Sequence, residues 1–158
     1  MDRRHFCGWM LGTSVATWLG GQASAAPPAV PAKLKWLTDL KAAQKVAETD
    51  SKLLLVVFGA SWCTFCHKLE RETLTDKKII SLVEREFVPV HLDFDRDTKL
   101  AKKLEVEQLP ASLVLTPKAD LLLHVVGYLD ARKYEKNLQS ALQKRTELVQ
   151  VPPTTVTR

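Results

Sequence analysis

The most informative segment of this chain spans residues 53–66 and reads Leu53-Leu54-Leu55-Val56-Val57-Phe58-Gly59-Ala60-Ser61-Trp62-Cys63-Thr64-Phe65-Cys66. Its first six residues are apolar and are followed by Gly59, a pattern that predicts a strand buried on both faces. A helix is predicted over residues 63–72, which places Cys63 at a helix N-terminus. Unpaired backbone N–H groups and a partial positive charge gather at that end of a helix. They stabilise a thiolate, so the position favours a reactive cysteine.

The spacing of the two cysteines is compatible with more than one use. Cys66 lies one helical turn after Cys63, so it can reach the first sulfur and resolve a mixed disulfide. A cysteine pair can also bind zinc, which usually needs about four ligands. The sequence has no second pair, His67 alone is adjacent, and His91 and His124 are distant. We therefore favour redox exchange without a metal, and keep metal binding and a structural disulfide as alternatives.

Helix and strand patterns alternate on both sides of this stretch. Upstream, apolar residues at helical spacing predict a helix over residues 34–48. Downstream the patterns predict a helix capped by Thr75 or Asp76, then a strand at 87–93 and a short helix after Asp97. A hairpin of strands at 112–116 and 121–126 follows, and a last helix capped by Asp130 ends the series. A strand–helix–strand unit implies a parallel pair with a right-handed crossover. The order predicts an α/β fold with a mixed sheet and helices on both faces.

The N-terminus has the features of an export signal. Arg3 and Arg4 precede a mostly apolar stretch at 7–19, and Ala23-Ser24-Ala25 fits a cleavage site before Ala26. The apolar stretch is shorter than the roughly 20 residues that span a bilayer. We therefore expect a signal peptide at residues 1–25 and no permanent membrane span.

The export route is left open by the same segment. The arginine pair resembles a twin-arginine signal, but Asp2 and Cys7 depart from that pattern, so the general secretory route remains an alternative. Cleavage would leave two cysteines in a compartment where disulfides can persist. The expected organisation is a signal peptide at 1–25, a proline-rich linker at 26–33, one domain at 34–146 and a flexible tail at 147–158.

Composition and charge exclude one class of partner. The chain has 158 residues, 23 basic and 18 acidic, with a formal net charge of +5. The basic residues are interleaved with acidic ones and form no long run, so the sequence does not indicate a nucleic-acid surface. A mixed-charge solvated surface on a single domain is the expected reading of this composition.

At this point a family resemblance is clear. The segment 58–66 resembles the active-site segment of the thioredoxin superfamily, most closely exported bacterial thioredoxin-like proteins and the soluble domains of membrane thiol reductases. Leu109-Pro110 matches the proline that faces the cysteine pair in that family. The resemblance covers about residues 34–145. It implies a thioredoxin-like fold, with a mixed four-stranded central sheet and helices on both faces.

The resemblance also implies a role for each matching residue. Cys63 would be the attacking cysteine and Cys66 the resolving one. Leu109 would offer backbone hydrogen bonds to a bound peptide, and a cis Pro110 would shape that surface. Trp62 would form a partly exposed surface beside the cysteines. No bound cofactor is implied beyond the redox-active disulfide itself.

Two departures from the family pattern stand out. Val57 occupies the place of a buried aspartate that in thioredoxin is thought to assist proton transfer for the second cysteine. His91 corresponds to a nearby lysine, and we name it a candidate proton acceptor, since imidazole exchanges protons near neutral pH; the alternative is a packed or solvated histidine. Between the cysteines, Thr64-Phe65 lacks the histidine of strong oxidants.

A solvated helix surface is expected for His67, Lys68, Glu70, Arg71 and Glu72.

The function that these features imply is disulfide exchange on proteins or peptides in an extracytoplasmic, periplasmic-type compartment. We favour reduction, which requires an electron source across the membrane, such as a membrane thiol donor. A second hypothesis is a binding protein or metal chaperone that uses the fold without turnover. A third is a structural module whose disulfide staples the start of a helix.

Overall fold

The structure is a computed structural model that describes residues 33–150. The predicted signal peptide and almost all of the predicted linker lie outside these residues. Four strands and five α-helices follow in the chain order α1 Leu40–Thr49, β1 Leu53–Gly59, α2 Thr64–Lys68, α3 Lys77–Glu86, β2 Phe87–Asp93, α4 Thr98–Lys103, β3 Ala111–Leu115, β4 Leu121–Val126 and α5 Ala131–Gln150, with a π-helical turn at Leu69–Thr73 directly after α2.

The four strands form one mixed sheet in the order β2-β1-β3-β4. Strand β1 pairs in parallel with β2 and antiparallel with β3. Strands β3 and β4 form the antiparallel hairpin that the sequence predicted. The predicted thioredoxin-like architecture, with a mixed four-stranded sheet, is therefore confirmed.

Strand β1 is the centre of the core, because every one of its residues is buried. Its side chains alternate between the two faces of the sheet, as the period of a strand requires. Leu53, Leu55 and Val57 pack under α3 and α5, whereas the intervening residues pack under α1 and α4. Full burial of each leucine or phenylalanine contributes about 1.5–3 kcal/mol. This two-sided burial fixes where β1 ends, and so fixes the position of the cysteine segment that follows.

The first helix is shorter than predicted. Residues 34–39 were expected to be helical, but α1 begins at Leu40, where the Asp39 carboxylate accepts hydrogen bonds from the N–H groups of Lys41 and Ala42. The preceding segment is extended and lies along the edge of β2, where Leu37 forms a parallel bridge to Val90. The prediction was wrong because the unpaired edge of β2 offers this segment hydrogen bonds that a helix would forgo.

The last helix follows its predicted cap and runs further than expected. Asp130 accepts a hydrogen bond from the N–H group of Lys133 at 3.0 Å, as predicted. Helix α5 continues to Gln150, four residues into the segment 147–158 for which a flexible tail was predicted. The sequence holds no helix breaker before Pro152, and a proline disfavours helical backbone at the residue that precedes it. The rest of that segment lies outside the described residues.

Candidate active site

The cysteine pair lies where β1 passes into α2. Cys63 is the N-cap residue of α2, and its N–H group donates to the carbonyl of Ala60 at 3.1 Å. The Sγ atom of Cys63 accepts a hydrogen bond from the N–H group of Cys66 at 3.2 Å. The two residues form a disulfide with a sequence separation of 3. The buried strand and the helix start therefore hold the pair in the context that the sequence predicted.

The two cysteines are both buried, with Cys63 slightly the more exposed. Cys63 is 6% exposed and Cys66 is 2% exposed, and both pack against Ala60, Phe94 and Leu109. The order of exposure is the one that attack by Cys63 and resolution by Cys66 would need. The chemical roles of the two residues remain predictions.

Leu109 packs against the cysteine pair, and Pro110 follows it directly before β3. The bond between them is cis, and Pro110 is buried. The carbonyl of Pro110 accepts a hydrogen bond from the N–H group of Gly127 at 2.7 Å. Within residues 33–150, no backbone hydrogen bond uses the N–H or C=O group of Leu109. Among the described residues both groups therefore lack a backbone partner, and the binding of a peptide by Leu109 stays a prediction.

Two exposed aromatic side chains flank Cys63. Trp62 is 64% exposed and Phe65 is 60% exposed. The indole N–H group of Trp62 donates to Asp95 Oδ2 at 2.9 Å, which fixes the ring against the loop after β2. Sequence reasoning named Trp62 but missed Phe65 and Asp95. The position of Phe65 between the two cysteines could have identified it from the sequence. No sequence pattern could have identified Asp95, because its contact with Trp62 spans 33 residues.

His91 is held next to the cysteine pair by contacts from two directions. Its Nε2 atom lies 3.1 Å from Glu70 Oε1. Its ring meets the ring of Trp36 edge-on, with centroids 5.8 Å apart. A Cβ atom placed on Gly59 would stand 3.3 Å from His91 Nε2 and 3.7 Å from the Cβ atom of Cys66. The structure therefore brings the predicted proton acceptor close to the second cysteine.

The prediction of a purely solvated surface for the helix after the cysteines was wrong in part. Glu70 contacts His91, and its second oxygen lies 3.8 Å from His67 Nδ1. His67 also bonds the carbonyl of Ser61 through Nε2 at 2.9 Å. The one sequence signal for Glu70 was its spacing of a helical turn after Cys66. The contact itself depends on β2, which no local pattern could show.

Another part of the same helix faces the loop after β4. The hydroxyl of Tyr128 donates to Glu72 Oε2 at 2.8 Å, and this hydrogen bond raises the pKa of Tyr128 above its ordinary value. Lys68 lies over the Tyr128 ring, 4.5 Å from its centroid. The buried hydroxyl of Thr73 donates to the carbonyl of Leu129 at 2.6 Å. These contacts anchor the cysteine helix to the loop that follows β4.

A π-helical turn lets one helix make both sets of contacts. A single helix was predicted over residues 63–72, but α2 passes at Leu69 into the turn Leu69–Thr73. There the N–H group of Leu74 bonds the carbonyl of Leu69, five residues back, at 3.0 Å. A π turn changes the direction of the side chains around it and is common at functional sites. Here Glu70 points towards β2, whereas Glu72 and Thr73 point towards the loop after β4.

Two further findings concern the described residues. Within residues 33–150, no group of three or more His, Cys, Asp or Glu side chains is arranged to hold a metal ion. None of the helices in this part of the chain has both the length and the apolar character of a bilayer-spanning segment.

Comparisons with known proteins agree with this geometry. Residues 40–142 match the family model of the thioredoxin-like domain. No curated protein sequence matches the chain significantly. Among solved structures, a thioredoxin from Thermus thermophilus is 21% identical, with a TM-score of 0.68 over 79% of this chain and 99% of that one.

Two other solved structures resemble the chain. A DsbH oxidoreductase is 19% identical, with a TM-score of 0.64 over 78% of this chain and 94% of that one. The oxidised C-terminal domain of DsbD from Neisseria meningitidis is 24% identical, with a TM-score of 0.54 over 65% of this chain and 99% of that one. At these identities the likeness shows a shared fold. With the match of the family model, the chain belongs to the thioredoxin-like domain family, and its Cys63–Cys66 pair gives it the redox site of a thiol:disulfide oxidoreductase.

Proposed function

We propose that this chain reduces protein or peptide disulfides in an extracytoplasmic compartment. The observation that carries the proposal is the Cys63–Cys66 disulfide at the start of α2, bordered by exposed aromatic rings and by the open backbone groups of Leu109. A structural disulfide needs neither of these neighbours. A surface that receives a polypeptide uses both, because apolar rings bind side chains and free N–H and C=O groups bind an extended backbone.

The reaction takes place in two exchange steps. The thiolate of Cys63 attacks one sulfur of the target disulfide, forming a mixed disulfide and releasing the other target sulfur as a thiolate, which takes a proton from solvent. Cys66 then loses its proton and attacks Cys63, forming the Cys63–Cys66 disulfide and releasing the second target thiolate. Two electrons pass from the protein to the target. A dithiol donor must return them, and a membrane-bound donor fits a compartment that is otherwise oxidising.

The direction of electron flow rests on the residues between the cysteines and on the compartment. Thr64 and Phe65 offer no charge that would strongly stabilise a thiolate on Cys63, as a strong oxidant would need. The extracytoplasmic setting rests on the export signal predicted at residues 1–25 and accords with the similarity to DsbH and to the DsbD domain.

Trapping of targets tests the proposal. Cys66→Ser leaves the first step intact and removes the second, so it should accumulate mixed disulfides that appear as reducible high-mass bands on non-reducing gels. Cys63→Ser is the matched control and should accumulate far fewer. If neither variant traps a target and the reduced wild-type protein binds a metal ion tightly, the exchange function is lost to the binding-protein alternative.

The reduction potential of the pair tests the direction. In glutathione buffers, a value near −270 mV, about that of thioredoxin, supports reduction. A value near −120 mV, about that of DsbA, would make the chain an oxidant.

A further inference from the structure

The second exchange step requires a base that the cysteine pair does not itself supply. Cys66 is 2% exposed, and burial disfavours its thiolate in the reduced protein. Val57, on the adjoining strand, is buried and apolar and cannot accept a proton. The base must therefore come from the α2 side of the pair or from β2. This inference rests on the exchange reaction proposed above.

Gly59 opens the space between Cys66 and β2. The position of its missing Cβ atom lies 3.3 Å from His91 Nε2 and 3.7 Å from the Cβ atom of Cys66. A side chain at this position would press on the imidazole, which would have to give by a few tenths of an ångström. The edge of the imidazole that carries Nε2 thus faces Cys66 across a residue without a side chain.

Glu70 enters the same space from the cysteine helix. It follows Cys66 by one turn, a spacing at which helical side chains are neighbours. Its Oε1 atom lies 3.1 Å from His91 Nε2, so the carboxylate stands at the edge of the imidazole that faces Cys66. The side chain of Glu70 is 41% exposed, so it is in contact with solvent.

The partners of the two histidines fix where the protons lie. A carboxylate only accepts hydrogen bonds, so His91 donates its Nε2–H group to Glu70. The carbonyl of Ser61 also only accepts, so Nε2 of His67 carries hydrogen and Nδ1 is the atom that faces Glu70 Oε2, at 3.8 Å. The Glu70 carboxylate therefore receives one hydrogen bond from His91 and keeps lone pairs free for a further proton.

We propose that Glu70 is the base that takes the proton of Cys66, and that His91 is a positioning residue that holds its carboxylate towards the cysteine pair. The S–H bond of Cys66 breaks and its proton passes to Glu70, directly or through one water molecule. The Cys66 thiolate attacks Sγ of Cys63 in the mixed disulfide, and the target thiolate leaves with the electron pair of the broken S–S bond. That thiolate is protonated from solvent.

Glu70 returns its proton to solvent through an open cleft. The cleft has a volume of about 350 Å³ and is lined by both Glu70 and His91, with walls from Trp36, Leu74 and the segment before α1. The charged or titratable groups that face Glu70 are His67 from its own helix, His91 from β2, and Lys33, which lines the same cleft.

The test separates the two exchange steps in time. Reduced full-length protein in excess is mixed by stopped flow with dithiobis(nitrobenzoate), which releases one coloured thiolate when Cys63 attacks and a second when Cys66 resolves. Glu70→Gln should slow the second release by about a hundred-fold at neutral pH and leave the first unchanged, because a general base contributes about 10²–10⁴-fold. The second rate in this variant should rise about tenfold for each pH unit, since hydroxide then takes the proton.

Matched variants make the result specific to Glu70. Glu72→Gln removes the same charge two residues further on and should keep both rates, whereas Glu70→Asp should recover part of the second rate. The proposal is overturned if Glu70→Gln resolves as fast as the wild-type protein, if Glu72→Gln is equally slow, or if both releases slow together. If the wild-type protein releases only the first thiolate, the exchange function itself fails, and the role of Glu70 fails with it.

Discussion

The buried side chain of Tyr134 makes the free energy of unfolding of this protein fall at alkaline pH. Tyr134 is 2% exposed, and its hydroxyl donates to Ser112 Oγ at 3.0 Å. Burial raises the pKa of Tyr134 to about 12, from 10.0 for an ordinary tyrosine. The folded state therefore keeps its phenolic proton where the unfolded chain has lost it. Since the folded pKa is the higher one, the full contribution is present below pH 10 and is lost as the pH rises through 12.

The size of the loss follows from the difference between the two pKa values. Each pKa unit corresponds to about 1.4 kcal/mol, so the wild-type protein should lose about 1.4 kcal/mol by pH 11 and about 2–3 kcal/mol by pH 12 through this one group. Tyr134→Phe removes the titration but leaves the hydroxyl of Ser112 without its partner, which costs about 1–2 kcal/mol near neutral pH. The variant should therefore be the less stable protein at pH 7, and the two stability curves should cross between about pH 11 and 12.

Urea unfolding followed by tryptophan fluorescence measures this difference across pH. Both proteins should carry Cys63→Ser and Cys66→Ser, so that alkaline attack on the disulfide does not contribute. Tyr128→Phe is the matched control: Tyr128 is half-buried and its pKa is raised mainly by its hydrogen bond to Glu72, so its loss should leave most of the fall above pH 10 in place. A free-energy difference between wild type and Tyr134→Phe that stays constant from pH 7 to 12 would refute the reasoning.

Three further outcomes are expected. Brief alkylation of the reduced protein at neutral pH should label Cys63 before Cys66, read by peptide mass spectrometry; earlier labelling of Cys66 would reverse their roles. Protein from the extracytoplasmic fraction should begin at Ala26, and an intact N-terminus there would defeat the cleavage prediction. Thr73→Val keeps the shape of a fully buried side chain but removes its hydrogen bond to Leu129, so the free energy of unfolding should fall by about 1 kcal/mol; an unchanged urea midpoint would contradict this.

The sequence predicted the fold well where the determining signal is local. The apolar run before Gly59 predicted a strand buried on both faces, and the structure buries all seven residues of β1. The position of Cys63 at a helix N-terminus followed from that strand, because the next helix was predicted to begin only a few residues after the strand ends. Asp130 was visible as a cap, and Asp76 as one of two candidates with Thr75, because a cap depends only on the next few residues.

The sequence predicted the site less well where contacts join distant elements. Glu70 meets His91 across 21 residues, and the contact requires both the π turn and the position of β2 beside β1. The charge pattern around Glu70 resembles any solvated helix surface, so periodicity could not separate it from its neighbours. Trp62 and Asp95 pose the same difficulty, since only the folded sheet brings the loop after β2 to the cysteine segment.

The extended segment before α1 has a practical consequence for where this protein can be shortened. A chain cut at Leu40 would retain every helix and strand that the structure describes in residues 33–150, so its topology would look intact. It would lose the two backbone hydrogen bonds that Leu37 exchanges with Pro89 and His91. It would also lose the Trp36 ring that rests against the His91 imidazole. The smallest piece that preserves the surroundings of the second cysteine therefore begins before Trp36, outside the first regular element.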